Sequence, residues 1–70
     1  MKESIHNRVH ELRTRSNLTQ EALADVAGVT RQTIIAIEKG NYVPSVLLAI
    51  KIAQAFKKTV DDVFFISEVK

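Results

Sequence analysis

Residues 30 to 33 read Thr-Arg-Gln-Thr, four side chains with hydrogen-bonding groups and no large apolar member. Arg31 offers a planar fork of donors, Gln32 combines an acceptor with two donors, and Thr30 and Thr33 add hydroxyls. Such groups suit flat partners with fixed donor and acceptor patterns, above all the edges of nucleic-acid bases. Arginine makes a two-pronged pair with guanine, glutamine does so with adenine, and threonine can set its methyl against thymine. Other chemistry is thinly supplied. The 70 residues contain no cysteine, which removes disulfides, thiolate metal sites and thiol nucleophiles. His6 and His10 are four apart, a spacing that can bind zinc from one helix face, but no third ligand accompanies them. Asp61 and Asp62 are adjacent at a helix start, where they read as cap and dipole residues rather than a catalytic pair. With no glycine-rich phosphate loop and no serine with a matched base, the expectation is no catalytic residue, no metal and no cofactor.

Thr30 to Thr33 need a scaffold to hold them outward. The chain is short enough for one domain, residues 1–70, near the size limit for folding without staples. Its 46% hydrophobic content, with two glycines and one proline, suits tight helix packing. The expected first helix runs from about Ser4 to Arg15, with Ile5, Val9 and Leu12 at helical spacing. Thr19 caps a second, which turns Leu23, Ala24 and Ala27 inward and ends at Gly28. Thr30 caps a third, which buries Ile34 and Ile37 and stops at Gly40. Asn41 to Pro44 form a loop, since a residue before proline is biased away from helix. Ser45 caps a fourth helix through Phe56, with Leu48, Ile52 and Phe56 on one stripe. Thr59 caps a short last helix, with Asp62 completing a capping box. The fold class is all-α, a five-helix bundle.

Between Leu23 and Ile37 the apolar pattern asks for two helices crossing steeply about a tight turn, with Val29 plugging it. This helix-turn-helix spans about residues 19–39. It leaves Arg31, Gln32, Thr33 and Ile35 on the exposed N-terminal side of its second helix. That end of a helix is the part that reaches base edges in the major groove of B-DNA. The helix N-termini at Thr19-Gln20 and at Thr30 add backbone N–H groups aimed at phosphates. A formal charge of +2 permits a polyanionic partner without demanding one.

The segments "LTQEALA", "GVTRQTIIAIEKG", "NYVPS", "LAIKIAQAF" and "VDDVF" occur in that order, and with them the chain resembles the Cro and phage-repressor (Xre-type) helix-turn-helix proteins. The resemblance covers roughly residues 8 to 64. It implies a lambda-repressor-like DNA-binding domain, a transcriptional regulator and no enzyme. By the same carry-over Arg31, Gln32 and Thr33 are the main base readers; Ile35 stands where relatives often carry a small or polar residue, and either touches a thymine methyl or pads the helix. Gln20 binds a phosphate at the start of helix two, Thr30 contacts the DNA backbone or a base, and Lys39, Asn41 and Tyr42 grip the flanking phosphate backbone. Arg13 and Glu38 match a structural ion pair that ties helix one to the end of helix three.

One small domain buries limited DNA surface, and specific affinities of roughly 10⁻⁸ to 10⁻¹¹ M usually draw on two half-sites. A homodimer is therefore expected. Leu47 and Ile50 lie beyond the core stripe of helix four, and the tail "VFFISEVK" carries Phe65 and Ile66 past the last helix. These four residues are the expected dimer interface. The tail, residues 65–70, would form a short β-strand, pairing with the chain's own N-terminus or with a second subunit. The simplest function is repression from a palindromic operator. An antitoxin or other protein-interaction module built on the same domain is the alternative. No apolar run approaches the roughly 20 residues of a membrane span, and the first residues lack an apolar signal stretch, so a cytoplasmic protein with no membrane partner and no small-molecule ligand is expected.

Overall fold

A computed structural model describes residues 2–69. Met1 and Lys70, the ends of the expected domain and tail, lie outside the described residues. Along the chain run β1 (Lys2–Asn7), α1 (Val9–Arg15), α2 (Gln20–Ala27), α3 (Arg31–Glu38), α4 (Val46–Ala55), α5 (Val60–Val63) and β2 (Phe64–Val69). Five helices make the expected bundle, and the terminal strands add a small sheet to it. Among the described residues no helix is long and apolar enough to cross a membrane.

Helices α2 to α5 begin where hydroxyl side chains can satisfy a free N–H. The side chains of Thr19, Thr30, Ser45 and Thr59 accept from the backbone N–H three residues on, at Ala22, Thr33, Leu48 and Asp62. At α5 the cap is reciprocal, because the Asp62 carboxylate accepts from the Thr59 N–H at 3.2 Å. The ends of α1 to α4 share a second device, a residue with positive φ just past the helix. These are Asn17, Gly28, Gly40 and Lys57. After α2, Val29 N–H donates to Ala24 O at 3.0 Å and Gly28 N–H to Asp25 O at 3.3 Å, closing the Schellman loop that starts the helix-turn-helix.

Each helix contributes apolar residues to one core. Leu23, Ile34, Ile37, Ile52, Val9 and Val63 are its largest fully buried side chains, and Val29 and Phe56 pack against it from the edge. Small Ala24 and Ala27 on α2 are also buried, as close contact of α2 with α3 and α4 requires.

The N-terminus departs from the expected helix starting at Ser4. Residues Lys2–Asn7 form β1, which pairs antiparallel with β2 in a register that sets Ile5 opposite Ile66 and His6 opposite Phe65. Asn7 explains the boundary. Its Oδ1 accepts from Val9 N–H at 3.1 Å, satisfying the first N–H of α1, and its Nδ2 donates to Ile37 O at 2.9 Å, satisfying a carbonyl in the last turn of α3. Arg8 N–H then donates to Val63 O at 2.9 Å and carries the strand pairing up to the helix. The C-terminal strand therefore pairs with the chain's own N-terminus. His6 now belongs to β1 and His10 to α1, so the helical spacing that would have set them on one face does not exist. Among the described residues no group of three or more His, Asp or Glu could hold a metal ion.

Candidate nucleic-acid interface

One turn and one cap place the Thr-Arg-Gln-Thr segment. The αL turn at Gly28, φ +74, swings α3 across α2, and buried Ile34 and Ile37 fix its rotation about its own axis. Thr30 holds the first turn: its Oγ1 accepts from Thr33 N–H at 3.3 Å and lies 3.1 Å from Thr33 Oγ1. Arg31 and Gln32 are left exposed, whereas Thr33 and Ile35 are half-buried. Lys39, Asn41 and Tyr42 are exposed just beyond the helix. Gln32, Thr33, Ala36, Asn41 and Tyr42 line one shallow depression, so the start of α3 and the loop after it form a continuous surface. On the other side an open cleft runs between the N-termini of α2 and α3, lined by Thr19, Gln20, Glu21, Asp25 and Arg31 among others.

Behind that surface lies a polar network centred on Glu38, whose side chain is only 6% exposed. Arg13 Nε donates to Glu38 Oε2 at 2.6 Å, and Arg13 Nη1 donates to Leu18 O at 2.9 Å. Gln20 Nε2 donates to Glu38 Oε1 at 3.2 Å. Arg31 Nε in turn donates to Gln20 Oε1 at 3.4 Å. His10 Nδ1 faces Glu38 Oε1 at 3.4 Å. Burial alone would raise the Glu38 carboxyl, but the hydrogen bonds from Arg13 and Gln20 and the charge of Arg13 outweigh it and hold the group below its ordinary value of 4.5. The pair of Arg13 and Glu38 thus connects α1 to the end of α3, and Gln20 connects it onward to the start of α3.

The sequence pointed to Gln20 as a phosphate ligand and carried no sign of this second engagement. Its amide is held at both ends within the protein. Asn7 and His10 were likewise not singled out for their contacts with α3. The one available signal was the placement of Gln20 and Arg31 at the first positions of helices joined by a tight turn.

The residues expected at a dimer interface divide into two groups. Leu47 and Ile50 lie exposed on α4 beside Val46, which is 76% exposed. Close by, Ile5, Val43, Pro44, Val46, Val60 and Phe64 line an apolar cleft of about 160 Å³. Ile66, 66% exposed, sits opposite Ile5 in the sheet and so shares its face. Phe65 points to the other face. There its ring stacks on His6 at 5.8 Å between centroids, and the Arg8 guanidinium lies 4.8 Å above it.

The helix-turn-helix family profile matches residues 9–63, and the chain belongs to that family of DNA-binding transcriptional regulators. YgzD of Bacillus subtilis, an HTH-type transcriptional regulator, is 56% identical over 64 residues, which cover 91% of this chain and 97% of that one. MJ0272 of Methanocaldococcus jannaschii, also an HTH-type transcriptional regulator, is 53% identical over 60 residues, covering 86% and 91%. Among solved structures, the restriction-modification controller protein C.AhdI from Aeromonas hydrophila matches with a TM-score of 0.74 and 33% identity, over 79% of this chain and 83% of that one. The clp gene regulator ClgR from Corynebacterium glutamicum has the same fold, with a TM-score of 0.73 at 22% identity over 77% and 57% of the two chains. These findings bear out the resemblance read from the five sequence segments. They also place the chain among transcriptional regulators rather than enzymes.

Proposed function

We propose that this regulator is a repressor that binds a palindromic operator as a homodimer, with α3 of each copy in the major groove. The observation that carries the reading is the division of α3: Ile34 and Ile37 are fully buried while Arg31 and Gln32, at its N-terminal end, are exposed. In this pose Arg31, Gln32 and Thr33 meet base edges and Ile35 meets a thymine methyl. Gln20, Thr30, Lys39, Asn41 and Tyr42 meet the sugar-phosphate backbone on either side, fixing register without reading sequence.

The apolar surface around α4 supports the dimer. Val43, Val46, Leu47, Ile50, Ile5 and Ile66 expose on the order of 600 Å² together, at the top of the range for the largest patch on a monomer. Two such faces would bury about 1,200 Å², the lower end of stable specific interfaces. Phe65, stacked against His6 and Arg8 on the other side of the sheet, is left out of this interface. Repression then follows from occupancy of the operator by the dimer.

Selection from a random duplex library at fixed, near-physiological salt tests the reading. A palindromic consensus with half-sites about 34 Å apart is the expected result. Enrichment of a single unrepeated site would overturn the dimer. Binding without enrichment, steeply dependent on salt, would overturn sequence-specific repression.

A further inference from the structure

Glu38 belongs to the base-reading apparatus as well as to the ion pair with Arg13. The oxygen and nitrogen ends of a glutamine amide are nearly alike in shape but opposite in hydrogen bonding, so the chemistry of its neighbours decides its orientation. Gln20 has two neighbours of opposite kind. On one side lies the Glu38 carboxylate, which when ionised only accepts; on the other lies the Arg31 Nε–H, which only donates. With Nε2 toward Glu38 at 3.2 Å and Oε1 toward Arg31 at 3.4 Å, both contacts are hydrogen bonds. With the amide turned over, oxygen would face carboxylate oxygen and N–H would face N–H, and both contacts would be repulsive.

From this we infer that Glu38 is a positioning residue for DNA reading: it fixes the Gln20 amide so that its oxygen faces Arg31 and holds that guanidinium by Nε. The inference rests on the reading of Arg31 as a base-contacting residue. Glu38 is itself well placed to be a fixed point. Arg13 Nε holds its Oε2 at 2.6 Å, and its side chain is 6% exposed, so the carboxylate neither rotates freely nor competes with water. The consequence for Arg31 is geometric. Nε is engaged at the surface by Gln20, which leaves the two terminal nitrogens to make an end-on pair with guanine O6 and N7. An Arg31 released from Gln20 can still reach DNA, but as a mobile cation that prefers no one base.

The test separates positioning from folding. Loss of fold or of the link between α1 and α3 lowers affinity for all sequences alike, whereas loss of positioning erases preference at one base pair in each half-site. Glu38→Gln keeps the shape and lets the Gln20 amide take either orientation. In selections from a random duplex library, the Glu38→Gln protein should lose about fivefold or more of the wild-type discrimination at the single position that Arg31→Ala also relaxes, the lower end of what a bidentate pair supplies. Gln20→Ala, which leaves the Arg13 and Glu38 contact intact, should relax the same position and serves if Glu38→Gln does not fold. A Glu38→Gln or Gln20→Ala consensus that matches wild type at every position, with affinity lowered uniformly, would overturn the inference while leaving Arg31 a base reader. A wild-type protein whose consensus does not change with Arg31→Ala would instead remove the reading on which the inference stands.

Discussion

Arg13 Nε donates to Glu38 Oε2 at 2.6 Å, joining the last turn of α1 to the final residue of α3 across 25 positions of sequence. The contact is nearly dry, with the two side chains 11% and 6% exposed. It therefore bears on stability and on the setting of α3 together.

Acid should expose its contribution. The folded-state pKa of Glu38 is depressed, because hydrogen bonds from Arg13 and Gln20 overcome the opposing effect of burial. A depressed carboxyl contributes stability that is fully present above its unfolded value, here 4.5, and is lost as pH falls through the folded value. Asp62, held below its ordinary 3.8 by the Thr59 backbone and side chain, acts in the same direction at lower pH. Glu38→Gln should cost roughly 1–3 kcal/mol at pH 7 by leaving Arg13 without its charged partner, and should flatten the fall in stability below about pH 4.5. Denaturant melts from pH 7 to pH 3 measure both effects. Parallel pH profiles for the two proteins would contradict the assignment.

The positive-φ helix ends make a paired prediction. Lys57 adopts φ +57, a conformation that costs a side chain about 1 kcal/mol, so Lys57→Gly should stabilise the fold by about 0.5–1 kcal/mol. Gly28 sits at φ +74, and a methyl group there would meet Lys51 Nζ at an ordinary 3.9 Å. Gly28→Ala should therefore destabilise by about 1 kcal/mol from backbone strain alone, without a clash. Chemical denaturation of both variants at pH 7 checks the opposite signs. A destabilised Lys57→Gly protein would show that its side chain matters more than its backbone.

For the dimer, substitutions on the two faces of the sheet should part company. Leu47→Lys with Ile50→Lys should give monomers in sedimentation at concentrations where wild type dimerises. Phe65→Ala should keep the dimer and instead lower monomer stability by about 1 kcal/mol, through loss of the His6 stack and the Arg8 contact. A Phe65→Ala monomer, or an unchanged dimer in the α4 variant, would move the interface elsewhere.

Lys39 is exposed at the C-terminal end of α3, and the proposed pose sets it against phosphate. Lys39→Ala should weaken cognate and unrelated duplexes by the same factor and reduce the salt slope by about 1. Binding titrations at several salt concentrations measure it, and a loss confined to one base pair would contradict the assignment.

Much of this was legible in residues that act locally. Thr19, Thr30, Ser45 and Thr59 each reach a backbone N–H only three residues away, so their caps are written in short words of sequence. Gly28 marks its own turn for the same reason. The strand β1 was half legible: the apolar tail pointed to a strand with the N-terminus as one candidate partner, but Ile5, four before Val9, imitates helical spacing and drew the expected first helix back to Ser4. Asn7 breaks the helix through one bond to Val9 and one to Ile37, and only the first is local. The amide of Gln20 escaped for a related reason. Its two partners are 18 and 11 residues away, and only the crossing of α2 and α3 brings them to its two ends.

The most direct measurement is a comparison of consensus sequences selected from one random duplex library by wild type, Arg31→Ala and Gln32→Ala. If the N-terminal turn of α3 reads bases, wild type yields a palindrome and each variant relaxes one base pair per half-site. Each loss should be about 1–3 kcal/mol on the cognate duplex. Variants that keep the wild-type consensus at every position, with no more than a uniform loss of affinity, would contradict the account and place base reading outside α3.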